Sequence, residues 1–202
     1  MSWKKDVQWF WWFVWEDDSF ASWIVNVLLA FVLIKFVVYP GLGLLLGTTH
    51  PIVAVVSSSM EQEKSFRDWW NEECCVDAFC TNKFTQEEVY RAAGISWDVF
   101  QSFPFPRGFN KGDIMVLSAA QELKVGDVLV FSIPSRPDPI IHRIVEKKQN
   151  AYKTKGDNNC HSADFEQHIG ARQAIGKAVF RVPYLGWLKI MFVWLLERSG
   201  VV

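Results

Sequence analysis

Pro51-Ile-Val-Ala-Val-Val-Ser-Ser-Ser59-Met60 runs a short, β-branched, strand-like stretch into three consecutive serines and stops. A hydroxyl delivered at a strand end is a candidate nucleophile, although serines at strand ends also serve as ordinary turn chemistry. The free alcohol is hardly ionised at neutral pH, so hydrolysis by serine needs a base beside the hydroxyl and donors aimed at the developing oxyanion. Pro139-Ile-Ile-His142-Arg143-Ile-Val supplies a histidine inside an apolar run, and imidazole titrates in the range such a base requires. Of the other histidines, His50 precedes the serine stretch while His161 and His168 lie in polar loop sequence, so only His142 has a strand to hold it rigidly. Tyr152-Lys-Thr-Lys-Gly-Asp157-Asn-Asn adds a carboxylate in a Gly-Asp turn, where aspartate can equally serve to hold the turn.

The elements that must position these groups read as short strands with turn signals between them. Residues 113–117 and 127–131 each open on a Gly-Asp pair, and further strands are expected at 140–145, 151–154 and 174–182. This spacing predicts a mainly β, antiparallel domain with helices outside it. Residues 61–110 change character, with many charges, the pairs Trp69-Trp70 and Cys74-Cys75, and Thr85-Gln-Glu-Glu88, which has the form of a capping box. They are expected to form a small, partly helical insertion, with Phe103-Pro-Phe-Pro-Arg-Gly-Phe109 as a loop of exposed aromatics. For the cysteines, a bridge from Cys80 to Cys74 or Cys75 is expected, with the connectivity and Cys160 left open. No Cys/His spacing suggests a metal site: Cys160 and His161 are adjacent rather than spaced.

A net charge of −1 offers no electrostatic reason to expect nucleic acid. The 11 tryptophans are unevenly spread, and Trp3, Trp9, Trp11, Trp12 and Trp15 crowd the first fifteen residues, a placement suited to the headgroup level of a bilayer. Residues 1–18 therefore read as an interfacial aromatic segment. Residues 19–47 read as a retained transmembrane anchor, with Lys35 near one end of the apolar run and Gly41, Gly43 and Gly47 loosening its exit. Lys4 and Lys5 put the N-terminus on the cytoplasmic side. Residues 48–182 form the β domain with its insertion, and residues 183–202 a hydrophobic helix, short for a span and expected to lie on the membrane.

In order and in local sequence, Ser57-Ser-Ser59-Met60, His142-Arg143 and Lys155-Gly-Asp157-Asn-Asn159 resemble the signal peptidase I family in its archaeal and endoplasmic-reticulum form, over residues 48–187 apart from the insertion. The resemblance implies a signal-peptidase-like β core and no cofactor. It makes Ser59 the nucleophile, being the serine directly before methionine. The Ser57 hydroxyl and the Ser59 amide become the oxyanion hole, and His142 stands where bacterial members carry a lysine base. In that form the triad acid is usually a later aspartate. Here the corresponding position is Ala163, so Asp164, one residue on, is expected to orient His142, with Asp157 supporting the loop and the site. The chain departs from the pattern at Ser58, usually glycine, at Gln62, usually proline, and in the insertion itself.

What the resemblance implies is a membrane-bound endopeptidase that removes signal peptides from exported proteins, cutting after small residues, with its catalytic domain outside the cytoplasm at the cell membrane. Its partners would be preprotein signal peptides, lipid and accessory membrane subunits. The competing expectation is a catalytically silent, membrane-anchored β module that binds partners through the Trp-rich insertion.

Overall fold

The computed structural model describes residues 3–75, 80–81, 83–149 and 151–198. The chain divides into two compact units between Leu45 and Leu46. In the first, α1 (Trp3–Trp15) turns into α2 (Phe20–Leu33), which continues through a π turn (Ile34–Val38) into α3 (Tyr39–Leu46). Ser19 caps α2 by accepting the Ser22 amide. The Ser22 hydroxyl and the Asn26 amide donate to the Phe13 and Val14 carbonyls, which satisfies acceptors left open at the end of α1.

Pro40 explains the π turn. A proline ring clashes with the carbonyl four residues before it and brings no amide hydrogen, and widening the helix relieves both demands. The Tyr39 amide accordingly donates to the Ile34 carbonyl, five residues back. Gly41 and Gly43 do not loosen this helix, contrary to expectation; they lie within α3, and only Gly47, at φ +65°, follows its end. Phe20–Leu46 is thus one helix of 27 residues, long and apolar enough to cross a membrane, with a peak mean hydropathy of 2.3. Lys35 sits inside the π turn rather than near an end, its ammonium 5.4 Å from the centre of the Phe36 ring.

The second unit is built on a seven-stranded sheet whose paired strands are all antiparallel. Its strands are β1 (Ile52–Ala54), β4 (Ile114–Ser118), β5 (Val128–Phe131), β6 (Ile140–Lys147), β7 (Ala151–Lys155), β8 (Ile169–Gly170) and β9 (Ala174–Val182), in the spatial order β1-β4-β9-β5-β6-β7-β8. The alternation of side chains along a strand decides where the core lies. Val128 and Val130 of β5 join Met60, Phe109, Met115 and Leu117 in one cluster. Leu129 and Phe131 join Leu123, Ile144 and Ile169 in another. With both faces covered, β5 reads in sequence as an unbroken apolar run.

The insertion holds α4 (Phe66–Trp70), the hairpin of β2 (Glu73–Cys75) with β3 (Lys83–Thr85), α5 (Gln86–Ala92) and α6 (Trp97–Gln101). The expected capping box is present, Thr85 and Glu88 each accepting the other's backbone amide. Trp69 and Trp70 are almost wholly buried, 1% and 2% exposed, and pack with Tyr90, Ile95 and Phe100 against Val145 of β6. The loop that follows differs from its expectation. Phe109 is buried and Phe103 and Phe105 pack against the cores, because the loop is folded back onto β6 rather than into solvent. The last helix, α7 (Trp187–Arg198), carries exposed Leu188, Met191, Phe192, Trp194 and Leu195. Its 12 residues reach about 18 Å, short of the ~30 Å hydrocarbon thickness.

Candidate active site

Met60 sets the position of the serine before it. Its side chain is buried in the core and its carbonyl accepts the Phe109 amide, so the turn that carries Ser59 is pinned from beneath. Ser58 is absent from the residues of positive φ, so its side chain costs the turn nothing where relatives of the expected family use glycine. Ser59 Oγ lies 2.8 Å from His142 Nε2 and 3.0 Å from Ser57 Oγ.

His142 projects from the middle of β6, buried to 6% exposure, and its Nδ1 is hydrogen-bonded to the carboxylate of Glu166, which is 1% exposed. That carboxylate is itself held, accepting the Thr154 hydroxyl at 3.1 Å and the Ala163 amide at 2.8 Å. A carboxylate on Nδ1 keeps the proton there and leaves the Nε2 lone pair facing the serine hydroxyl.

The carboxylate at His142 is therefore neither of the two expected ones. Asp164 opens a 3-10 helix (Asp164–Glu166) with its side chain exposed. At three residues per turn, position 166 points about a third of a turn away from position 164, and this brings Glu166 inward as Asp164 faces out. Asp157 is fully buried but is taken by Arg143: Nε and Nη2 of the guanidinium grip the carboxylate at 2.9 and 2.6 Å, and the Tyr90 hydroxyl donates to it at 2.8 Å. Neighbours on a strand face opposite ways, so His142 and Arg143 serve opposite sides of β6. The guanidinium also donates to the Pro104, Phe105 and Gly126 carbonyls, which fastens the end of the insertion to the sheet.

The segment after β7 runs directly beside the nucleophile. The Asn158 amide donates to the Ser59 carbonyl at 2.8 Å, and Asn158 Nδ2 donates to the Ser58 carbonyl. Gly156 is required here by space: a Cβ would stand 2.7 Å from the Ser59 carbonyl oxygen and 2.9 Å from His142 Nε2. A cleft of about 430 Å³ opens over Ser59 and His142, walled by Ala54, Val56, Ile140, Ile141 and Phe165. β1, which borders it, is one of the two edge strands of the sheet among the described residues, and an edge is where an extended peptide can add.

Ser59, His142 and a buried carboxylate in hydrogen-bonded series are the arrangement that serine hydrolysis needs. The chain is similar to signal peptidase catalytic subunits. It is 33% identical over 95 residues to the signal peptidase complex catalytic subunit SEC11 of Pyricularia oryzae, covering 41% of this chain and 55% of that protein. It is 27% identical over 167 residues to the protein of that name from Scheffersomyces stipitis, covering 77% and 74%. It is 32% identical over 94 residues to that from Candida albicans, covering 41% and 57%. Most of these matches span only a little over half the length of the curated relatives, and no family model matches the chain. The relatives are fungal, so an archaeal assignment has no support among them.

Two disulfides complete the surroundings. Cys75–Cys80 closes within the insertion, while Cys74–Cys160 joins the insertion to the segment beside Ser59. Lys155, 1% exposed, donates to Gln86 Oε1 at 2.8 Å and lies over the Tyr90 ring. Burial, and then the Asp157 carboxylate, push the Tyr90 phenol well above its ordinary value, so it stays a donor. Burial also lowers Lys155 to about 7, outweighing the pull of Asp157 and Glu166. Unfolded, this lysine binds its proton up to about 10.5, so between about 7 and 10.5 the unfolded chain holds the extra proton and stability rises with pH. Below about 7 both states are protonated and the cost of the buried ammonium is borne in full. Lys155→Met should flatten that rise, as read by the thermal midpoint against pH; an unchanged slope would show that Lys155 does not titrate there.

Proposed function

We propose that the chain is a membrane-bound serine endopeptidase that removes signal peptides from exported proteins, with Ser59 as nucleophile, His142 as general base and Glu166 as the acid that orients the imidazole. The observation that carries this reading is the hydrogen bond of Ser59 to a His142 whose other nitrogen meets a buried carboxylate. Ser59 gives its proton to Nε2 as Oγ attacks the scissile carbonyl, and Glu166 stabilises the imidazolium that forms. The oxyanion is taken by the Ser57 hydroxyl and the Ser59 amide. His142 then protonates the departing amine, and later activates the water that frees the acyl group from Ser59.

The substrate class follows from the relatives, whose names make them catalytic subunits of a signal peptidase complex; accessory membrane subunits are proposed on the same ground. A peptide added to the edge of β1 would present small side chains to the shallow apolar wall over Ser59. The apolar helix Phe20–Leu46 acts as a single-pass anchor and α1 lies at the interface, with the β domain on the non-cytoplasmic side and α7 resting its apolar face on the membrane. Burial of Trp69 and Trp70 counts against the alternative of a silent module that binds partners through these rings. Incubating the detergent-solubilised protein with a preprotein and sequencing the product N-terminus tests the proposal. Cleavage after a small residue at the signal-peptide boundary is expected, and an intact preprotein would overturn it.

A further inference from the structure

The insertion has no counterpart in the chemistry above, yet three of its contacts meet on one short segment, residues 156–160, that also touches the nucleophile. The segment has two sides. Toward Ser59 it presents Gly156, in close approach to the Ser59 carbonyl, and Asn158, whose amide donates to that same carbonyl at 2.8 Å. Toward the insertion it presents the residues between and after them. The Asp157 carboxylate accepts the Tyr90 hydroxyl, the Asn159 carbonyl accepts Gln86 Nε2 at 3.1 Å, and Cys160 is bonded to Cys74. Tyr90 and Gln86 are one turn apart on α5, and both are buried, at 0% and 2% exposure. They are fixed from behind by the aromatic core around Trp70 and Phe100, whose rings lie 5.6 and 4.7 Å from that of Tyr90.

We propose that the insertion is a clamp that positions the nucleophile. Gln86, Tyr90 and the Cys74–Cys160 bond hold residues 156–160 against the Ser59 turn, and so keep Ser59 Oγ within reach of His142. Gln86, Tyr90 and the disulfide are positioning elements, since none touches the reacting atoms. The Ser59 carbonyl accepts the Asn158 amide, so Asn158 holds the Ser59 turn from the side as Met60 holds it from beneath, and reacting groups displaced by about 1 Å lose about 100-fold in rate. The proposal rests on the serine-peptidase reading of Ser59 and His142, and its test includes a measurement that does not depend on that reading.

The two disulfides allow a matched comparison in the whole 202-residue chain in detergent. Cys74→Ser with Cys160→Ser releases the segment, whereas Cys75→Ser with Cys80→Ser removes a bond internal to the insertion and leaves the segment tied. The first pair, and Gln86→Leu with both bonds intact, should lower kcat about 10-fold to 100-fold at unchanged KM. The second pair should leave kcat as it was. Hydrogen exchange at the Asn158 amide should quicken in the first pair and in Gln86→Leu, and not in the second pair. Equal loss of kcat in both disulfide pairs would reduce the insertion to a general stabiliser and overturn the clamp, as would unaltered exchange at Asn158 in the first pair. If exchange responds as expected while the unmutated protein cleaves no preprotein, the clamp stands and the peptidase reading falls.

Discussion

Ser59→Ala is expected to lower the single-turnover rate on a preprotein by about 10⁴-fold to 10⁶-fold, His142→Ala by a similar factor, and the double variant by little more than either alone. The reason is geometric. Ser59 Oγ and His142 Nε2 share one hydrogen bond, and each is useless to the reaction without the other. Ser59→Ala should leave the domain folded, because the turn is held by Met60 below and by Asn158 beside it, and none of those contacts uses the serine hydroxyl; His142→Ala takes a partner from the buried Glu166 carboxylate, so its thermal midpoint is read beside its rate. A serine-directed phosphonate should label Ser59 in the unmutated protein and fail to label His142→Ala. Full turnover in either single variant, at an unchanged thermal midpoint, would remove the proposed chemistry from this site.

The three acids after β7 should separate just as sharply. Glu166→Gln keeps the size of the side chain but turns an acceptor into a group that can present an amide to Nδ1, which favours the wrong tautomer and removes the charge that stabilises the imidazolium. About 10⁴-fold in kcat should go with it, with a stability cost of about 1–3 kcal/mol, because the new amide must face either His142 and Thr154 or the Ala163 amide, all of which bond to the carboxylate. Asp164→Asn should change neither quantity much, since that side chain is exposed. Asp157→Ala should act through the fold: it leaves the wholly buried Arg143 guanidinium without its anion, a loss of about 3–5 kcal/mol. Thermal midpoint and single-turnover rate measured on all three decide among them. An active Glu166→Gln beside a folded, inactive Asp164→Asn would return the orienting role to Asp164.

Much of the β unit was legible because its signals are local. The five strands expected from short apolar runs and turn residues all form, and 174–182 coincides with β9. The capping box at Thr85 needs only four residues in a row, and it is there. The edges of the apolar helix were less legible. Gly41 and Gly43 are weak helix formers taken one at a time, but they follow a long apolar run, and the π turn before Pro40 lets that run continue. The strand-like stretch before the serines forms β1, Ile52–Ala54, and hydrogen bonds of Val55 with Gly112 and Asp113 carry the pairing one residue further.

Sequence alone is enough for the local motifs around Ser59 and His142, the mainly antiparallel character of the domain and the long apolar helix ahead of it, whereas the meeting of those two side chains across 83 residues belongs to the tertiary fold. Each of the former depends on residues close together in the chain, where side-chain period, turn chemistry and apolar length act directly on the backbone. Tertiary structure alone decided which carboxylate meets the imidazole. Asp157, Asp164 and Glu166 compete within one loop, and the outcome depends on partners far away in sequence. Asp157 is captured by Arg143 and by Tyr90, 14 and 67 residues distant, and Cys160 is bonded to Cys74 across 86 residues. With that end of the loop tied down, the 3-10 helix sends Asp164 to solvent and Glu166 to His142. A buried cation must be matched by an anion wherever the fold brings one near, and that demand overrides any spacing written into the loop.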